Sequence, residues 1–363
     1  MNEFMCKQEK IRQLLDDNKL DALLLKRVSS FAWATCGAAS YVNSATTLGD
    51  SFLLITKNNR FLLSQNNEAP RLEDEELLKA QGWEFRVKRW DSGEDLVSEL
   101  IKGMRFGADG DHPGALNLSV EIGRLRTQYS IEEQERFRIL GKFCAQAMQE
   151  AIECVTPGQT EFEIAACLAS AAQARGVQPI VNLIATDERV FKYRHPLPTA
   201  KTMDRYVMLA MCGRLKGMVC SITRLIYFGK IPDELLKKSD SIIRIDAEMI
   251  LHTTPGRTLG AMYDDIISFY KKYGYPAEWE LHHQGGMMGY EPREFKASPG
   301  SIEMIQDGQG FSWNPTIAGV KSEDTILVNG TNQEILTEIP DWPFIIVEID
   351  GKKIKRPLIK EMT

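Results

Sequence analysis

Thr156-Pro157-Gly158-Gln159-Thr160, followed by a helical stretch that stops at Arg175-Gly176-Val177, returns as Thr254-Pro255-Gly256-Arg257-Thr258, a second helical stretch and Tyr273-Gly274-Tyr275. The offset, 254 − 156, is 98 residues. That is too long for a solenoid repeat and suits a domain made of two similar halves. Each half would then supply strands to a sheet whose helices pack on one face. A Thr-Pro-Gly-x-Thr element alone is also a common turn and cap, but the agreement of the helices before and after it favours duplication.

Working outward, Thr160 with Glu163 forms a capping-box pattern ahead of an Ala-rich helix ending at Gly176. Ser130 with Glu133 forms another, ahead of Phe137, Leu140, Phe143, Cys144, Met148 and Ile152 at helical spacing. Towards the N-terminus, residues 7–26 read as a helix running into the short strand Ala22 to Leu25. Ser51 to Ile55 and Arg60 to Leu63 read as a hairpin turning at Lys57-Asn58-Asn59. A strand over Trp83 to Val87 and a helix over Ser92 to Gly103 follow, until Gly107, Gly110, Pro113 and Gly114 interrupt the pattern. The expected organisation is a smaller α/β domain over residues 1–125 and a duplicated α/β (α+β) domain over residues 126–363.

The chain has 363 residues, enough for two domains with real cores, and its 43% hydrophobic and 26% charged residues are ordinary for a globular protein. A net charge of -6 with no basic patch gives no footprint for nucleic acid. The cluster Lys352, Lys353, Lys355 and Arg356 reads as solvated residues. The charged first residues form no signal peptide, and no stretch is apolar for long enough to span a bilayer, so a cytoplasmic location is expected. Seven cysteines without a C-x-x-C pair read as reduced and mostly in the core.

Four polar segments stand out: Arg194-His195-Pro196, Gly217 to Arg224, His282 to Glu294 and Gly310 to Glu323. His195, extended before a proline, is a candidate acid/base near neutral pH, though a loop histidine is also ordinary surface. His282-His283 precedes Gly285-Gly286; on a strand, adjacent histidines face opposite sides, and the glycines allow close approach of a ligand or another backbone. Tyr290, Glu291, Arg293 and Glu294 form a set able to hold a zwitterion or carboxylate, or else a solvated loop.

Together these segments resemble the creatinase, aminopeptidase P, prolidase and methionine aminopeptidase superfamily. Gly217-Met-Val-Cys-Ser-Ile-Thr-Arg224 resembles that family's Gly-Tyr-x-Ser-Asp-x-Thr-Arg stretch, and Gly319-Val-Lys-Ser-Glu-Asp-Thr-Ile-Leu-Val328 its Gly-Val-Arg-x-Glu-Asp-Thr strand. Phe311-Ser-Trp-Asn-Pro315 stands where the family has an apolar pair before Glu-Pro. The resemblance implies a pita-bread domain preceded by a creatinase-type N-terminal domain. It also implies a homodimer in which Phe31, Trp33 or Tyr41 of one subunit line the other's cleft, unless those aromatics belong to the small domain's own core.

The family's metallopeptidases hold two metal ions with two aspartates, a histidine and two glutamates. The matching positions here are Ala210, Ser221, His283, Asn314 and Glu323, so two of the five ligands remain. A single catalytic zinc already takes about three protein ligands. No cofactor is therefore expected, and a divalent metal is disfavoured. The resemblance implies His195, His283 and Glu323 as catalytic residues, with Arg224, Tyr290, Arg293, Glu294, Ser221 and Asn314 binding substrate.

The leading expectation is a metal-independent, creatinase-like hydrolase of a small carbon–nitrogen-bonded molecule, with His195 or His283 moving the proton and Glu323 orienting water or a substrate cation. One alternative is an Xaa-Pro peptidase, acting on a short peptide with a reduced metal site. Another is a non-catalytic pseudoenzyme that uses the cleft to bind a ligand or a partner protein.

Overall fold

The computed structural model describes residues 2–363, and these divide into two compact units, one running to residue 126 with 216–218, and the other 127–215 with 219–363. The first is built on a six-stranded sheet ordered Glu84–Lys88, Arg60–Gln65, Leu48–Thr56, Ala22–Arg27, Phe106–Ala108 and Leu116–Asn117. The expected hairpin is there, with Ile55 opposite Arg60 across the Lys57-Asn58-Asn59 turn.

The N-terminal helix is Glu3–Asp17, earlier than its apolar pattern suggested, because Asn2 caps it by accepting from the Met5 amide. The helix expected over Ser92 to Gly103 is reduced to Leu96–Leu100, since the Asp95 side chain accepts from the Ser98 amide and starts the helix there. Phe31 and Trp33 lie on the helix Val28–Ala34 and are fully buried in this unit, so they are core residues.

In the second unit the duplicated sequence becomes duplicated structure. Helices Ile131–Glu153 and Glu161–Gln173 precede strands Gln178–Thr186, Tyr206–Leu215 and Met218–Phe228. Helices Asp233–His252 and Leu259–Lys272 precede Gly285–Met288, Gly310–Trp313 and Asp324–Asn329. Both Thr-Pro-Gly-x-Thr turns use the glycine at positive φ, +91° for Gly158 and +88° for Gly256, where a side chain would be strained. The threonines that follow cap the next helices, the Thr160 hydroxyl oxygen accepting from the Glu163 amide and the Thr258 hydroxyl oxygen from that of Ala261. Thr160 and Thr258 each form an isolated antiparallel bridge as well, with Thr202 and Met304. Ser130 and Glu133 complete the other capping box.

The first half's sheet runs Lys360–Met362, Met218–Phe228, Tyr206–Leu215, Gln178–Thr186, and the second's runs Phe295–Lys296, Gly285–Met288, Gly310–Trp313, Asp324–Asn329, Asn332–Ile335. One apolar core joins Ile242, Ile245 and Met249 of the helix Asp233–His252 with Phe311, Trp313 and Ile326 of the second sheet. The two sheets meet where Thr223 bridges Glu323, with the Thr223 amide donating to the Glu323 carbonyl at 3.1 Å.

Two readings of surface and core are corrected. Arg356, expected to be solvated, is fully buried. It alternates with exposed lysines on the strand Lys352–Pro357, so strand periodicity turns it inward to meet Asp246 and Asp324. Of the cysteines expected in the core, Cys144 and Cys220 are fully buried, while Cys154 is exposed. No helix among the described residues is long and apolar enough to cross a membrane.

Candidate active site

A cavity of about 150 Å³ is lined by Val181, Leu183, Ala210, Met211 and Cys212 from the first sheet, and by His195, His283, Pro292, Arg293, Asn314, Lys321 and Glu323. The strand Tyr206–Leu215 presents Ala210 and Cys212, two residues apart and so on one face. Chain spacing does the same for Lys321 and Glu323 on the extended segment that leaves the Val320–Lys321 strand.

Glu323 is the anionic centre of the cavity. One carboxylate oxygen accepts from the Thr223 hydroxyl at 2.7 Å and faces Lys321 Nζ at 2.7 Å; the other accepts from Arg293 Nη2 at 3.3 Å. Burial by itself raises a carboxyl's pKa, but the two cations and these hydrogen bonds outweigh it and hold Glu323 at about 2. Two cations facing one carboxylate leave this wall with net positive charge.

His282 and His283 depart from the sequence expectation. They lie in the segment before the strand Gly285–Met288, not within a strand, and their rings stack at 4.5 Å instead of facing opposite ways. His195 joins them, with ring centroids 4.7 Å from His282 and 5.9 Å from His283, and its Nε2 is 2.9 Å from His282 Nε2. Burial, then Lys321 and the neighbouring imidazoles, push His282 down to about 2; burial and Arg293 push His283 down to about 4. Burial and Lys321 lower His195 too. At neutral pH the three rings are neutral, so they accept protons but do not store charge.

The glycines after the histidines have a steric purpose. A Cβ on Gly285, at φ +108°, would sit 2.2 Å from the Ser312 carbonyl oxygen, and one on Gly286 would sit 2.2 Å from that of Phe295. The close approach inferred from sequence is therefore between backbones of adjacent strands.

Of the residues singled out in the sequence, His195, His283, Arg293, Asn314 and Glu323 share the cavity. Ser221 lies buried beside it, its hydroxyl 3.1 Å from Cys212 Sγ. Three assignments to substrate binding are corrected. Arg224 is buried against Asp324 at 2.8 Å and donates to the Thr337 carbonyl, so its charge is already matched. Tyr290 donates its hydroxyl to Glu133 at 2.7 Å. Glu294 accepts from the amides of Tyr290 and Glu291 and closes its own loop. Sequence reasoning passed over Lys321, Thr223 and Cys212, and read His282 only as the neighbour of His283 facing the other side of a strand. The i, i+2 spacing of Lys321 and Glu323 was the available signal for the first.

The five positions where the family carries metal ligands converge, but with a different chemistry. Ala210 offers no donor, and Ser221 and Asn314 are neutral. Both oxygens of Glu323 are engaged by Thr223, Lys321 and Arg293. A bridged pair of divalent cations needs several anionic oxygens and would sit against two fixed positive charges. The residues present do not fit the family's dinuclear centre.

Comparison with known proteins places this geometry. An Xaa-Pro dipeptidase of Pyrococcus horikoshii is 22% identical over 355 residues, spanning 93% of this chain and 97% of its own. The crystal structure of the prolidase from Pyrococcus horikoshii OT3 superposes with a TM-score of 0.78 at 20% identity, covering 92% of this chain and 98% of that one. An Xaa-Pro dipeptidase from Bacillus anthracis gives 0.75 at 19% identity over 93% and 98%. At such identities the structural likeness establishes the pita-bread fold. The sequence profile of metallopeptidase family M24 matches residues 135–330, more than half of the chain, and the chain belongs to that family.

Proposed function

We propose that the chain is a hydrolase of a carbon–nitrogen bond in a small substrate, working in this cavity without the family's paired metal ions. One observation carries the proposal: Lys321 and Arg293 hold the single surviving glutamate at the positions a metal pair would claim. In the metallopeptidases, positive charge polarises the scissile group and stabilises the anion that forms on attack. Here two fixed side-chain cations supply positive charge in a partly buried site, where it acts strongly and needs no reorganisation.

Proton transfer falls to His195 or His283, the two imidazoles that line the cavity. A neutral imidazole takes a proton from attacking water and returns it to the leaving nitrogen. Glu323, ionised throughout, offsets the imidazolium that forms and orients the substrate through Thr223, Lys321 and Arg293. Val181, Leu183 and Met211 provide an apolar wall for the rest of the molecule.

The relatives' names favour a narrower reading, cleavage of an Xaa-Pro dipeptide, which is also hydrolysis of a carbon–nitrogen bond. The experiment that separates the two is turnover of creatine-like compounds and Xaa-Pro dipeptides by purified protein, with and without chelator. The proposal expects turnover that survives chelation and is lost in His283→Ala and Glu323→Gln. Peptidase activity abolished by chelator and restored by added divalent ions would overturn it.

A further inference from the structure

We propose that His195, His282 and His283 form a binding site for one transition-metal ion of borderline softness, of the zinc, cobalt, nickel or copper(II) class. This site is distinct from the family's dinuclear ligand set and shares only His283 with it. The inference goes beyond the hydrolase reading and does not depend on it: an ion held here takes the lone pairs of His195 and His283 that proton transfer uses, so metal binding belongs to the resting chain and competes with turnover.

Among the described residues these three form the one group of histidine, cysteine or acidic side chains whose donor atoms all lie within 4.8 Å of one another. The closest pair, the Nε2 atoms of His195 and His282, is 2.9 Å apart. Metal–nitrogen bonds of about 2.0–2.1 Å at tetrahedral angles put ligand nitrogens roughly 3.3 Å apart. Closing the cluster on one ion therefore takes ring shifts of up to about 1.5 Å, the difference between the 4.8 Å limit and that spacing. His195 supplies them most readily, since it lies in the loop between the helix Glu188–Lys192 and the strand Tyr206–Leu215 and is the exposed member of the three.

Two further observations point to a ligand. First, Nδ1 of His283 is buried without a hydrogen-bond partner in the protein. Unpaired polar nitrogens in a buried site cost free energy, and coordination is one way to recover it. Second, His195 and His282 share one proton in a hydrogen bond between Nε2 atoms 2.9 Å apart, and an ion held by both nitrogens takes the place of that proton.

Donor chemistry sets the class of ion. Three neutral nitrogens suit zinc, cobalt, nickel and copper, whereas magnesium, calcium and manganese prefer sets rich in carboxylate oxygens, which Ala210, Ser221 and Asn314 do not provide. Three protein ligands also leave one coordination position open on the exposed His195 side, as in catalytic and exchangeable sites. Lys321 disfavours a cation beside His195 and His282, Arg293 and Lys296 disfavour one beside His195 and His283, and Glu323 offsets them at all three rings.

The test uses the full chain stripped of metal, with cobalt(II) and zinc(II) alone as probes and no substrate. Cobalt(II) added to the metal-free chain should give the visible absorption of a four-coordinate nitrogen-ligated ion, saturating at one equivalent and displaced by zinc. His195→Ala, at an exposed loop position that folding tolerates, and His282→Ala should each weaken zinc binding at least about tenfold, while His112→Ala, at an exposed position in the other unit, should leave it unchanged. No cobalt absorption, or zinc affinity equal in wild type, His195→Ala and His282→Ala, would overturn the proposal. Because binding is read without substrate, failure of every hydrolysis assay bears on the hydrolase reading alone.

Discussion

Replacing Arg356 by methionine tests whether the scaffold behind Glu323 is held by buried charge. The Arg356 guanidinium is fully buried and pairs with Asp246 and, at 2.8 Å, with Asp324; Asp324 also pairs with Arg224 at 2.8 Å and accepts from the Thr337 hydroxyl at 2.6 Å. Two arginines and two aspartates thus form a neutral network at the start of the strand that follows Glu323. Methionine keeps the length and apolar stem but leaves Asp246 with only the Ser322 hydroxyl. Breaking one side of a buried pair costs about 3–5 kcal/mol. For a unit of this size, at about 2–4 °C per kcal/mol, Tm should fall by roughly 10 °C.

The pH dependence sharpens this prediction. Burial pushes the Asp246 carboxyl above its ordinary value, and Arg356 with Ser322 pulls it back only partly. A folded-state pKa above the unfolded one means the folded chain binds more protons, so this group's contribution to stability is lost as pH rises through that window. Without Arg356 the window extends higher. The Arg356→Met deficit should therefore be smallest near pH 4 and grow towards neutrality, as followed by calorimetry across pH. Adding Asp246→Leu should recover most of the loss, because no uncompensated charge remains. If Arg356→Met melts within about 2 °C of wild type at pH 7, or the double variant is no better than the single one, the reasoning fails.

Other perturbations follow from local geometry. Gly285→Ala forces a Cβ into the Ser312 carbonyl at a positive φ, and should cost about 3 kcal/mol or more in denaturant midpoint, against little change for Gly158→Asn in its open turn. Ser130→Ala removes a capping box and should cost about 1 kcal/mol in urea titration, with the m-value unchanged. Burial raises the Asp187 carboxyl, but amides of Arg205, Asp204 and Tyr206 and the Lys201 ammonium together hold it below its usual value. Its stabilisation is present above the unfolded pKa and lost as pH falls through the lower folded one, so wild type should lose stability below about pH 4 more steeply than Asp187→Asn. Equal acid slopes would show that these amides do not hold an ionised carboxylate.

How far the sequence could be read depended on the range of each interaction. The capping boxes at Ser130 and Thr160, and the paired turns at Gly158 and Gly256, are decided within five residues, so their residue types announce them. Arg356 was misread because its partner, Asp246, lies 110 residues away and no local pattern distinguishes a buried arginine from the lysines beside it. Arg224, Tyr290 and Glu294 stand in the right segments, yet their partners Asp324, Glu133 and the Tyr290 amide claim them for structure. The histidine cluster was half legible: the doublet was visible, but its stacking depends on the chain being outside the strand. Lys321 stands inside the Gly319 to Val328 motif, where nothing local marks that a new positive charge has arrived two residues before the glutamate it pairs with.

That arrival restricts which mutational routes connect this site to a metallopeptidase. Ala210→Asp or Asn314→Glu made singly adds a carboxylate to the cavity that Lys321 and Arg293 also line, and these side chains can neutralise it before any metal ion does. Removing the cations first leaves Glu323 buried without a counter-charge, a loss of several kcal/mol. Each substitution is therefore favourable or harmful according to which others are already present. The Lys321–Glu323–Arg293 group acts as a ratchet, and reaching a dinuclear site from this chain requires several simultaneous changes where a tally of missing ligands counts only three.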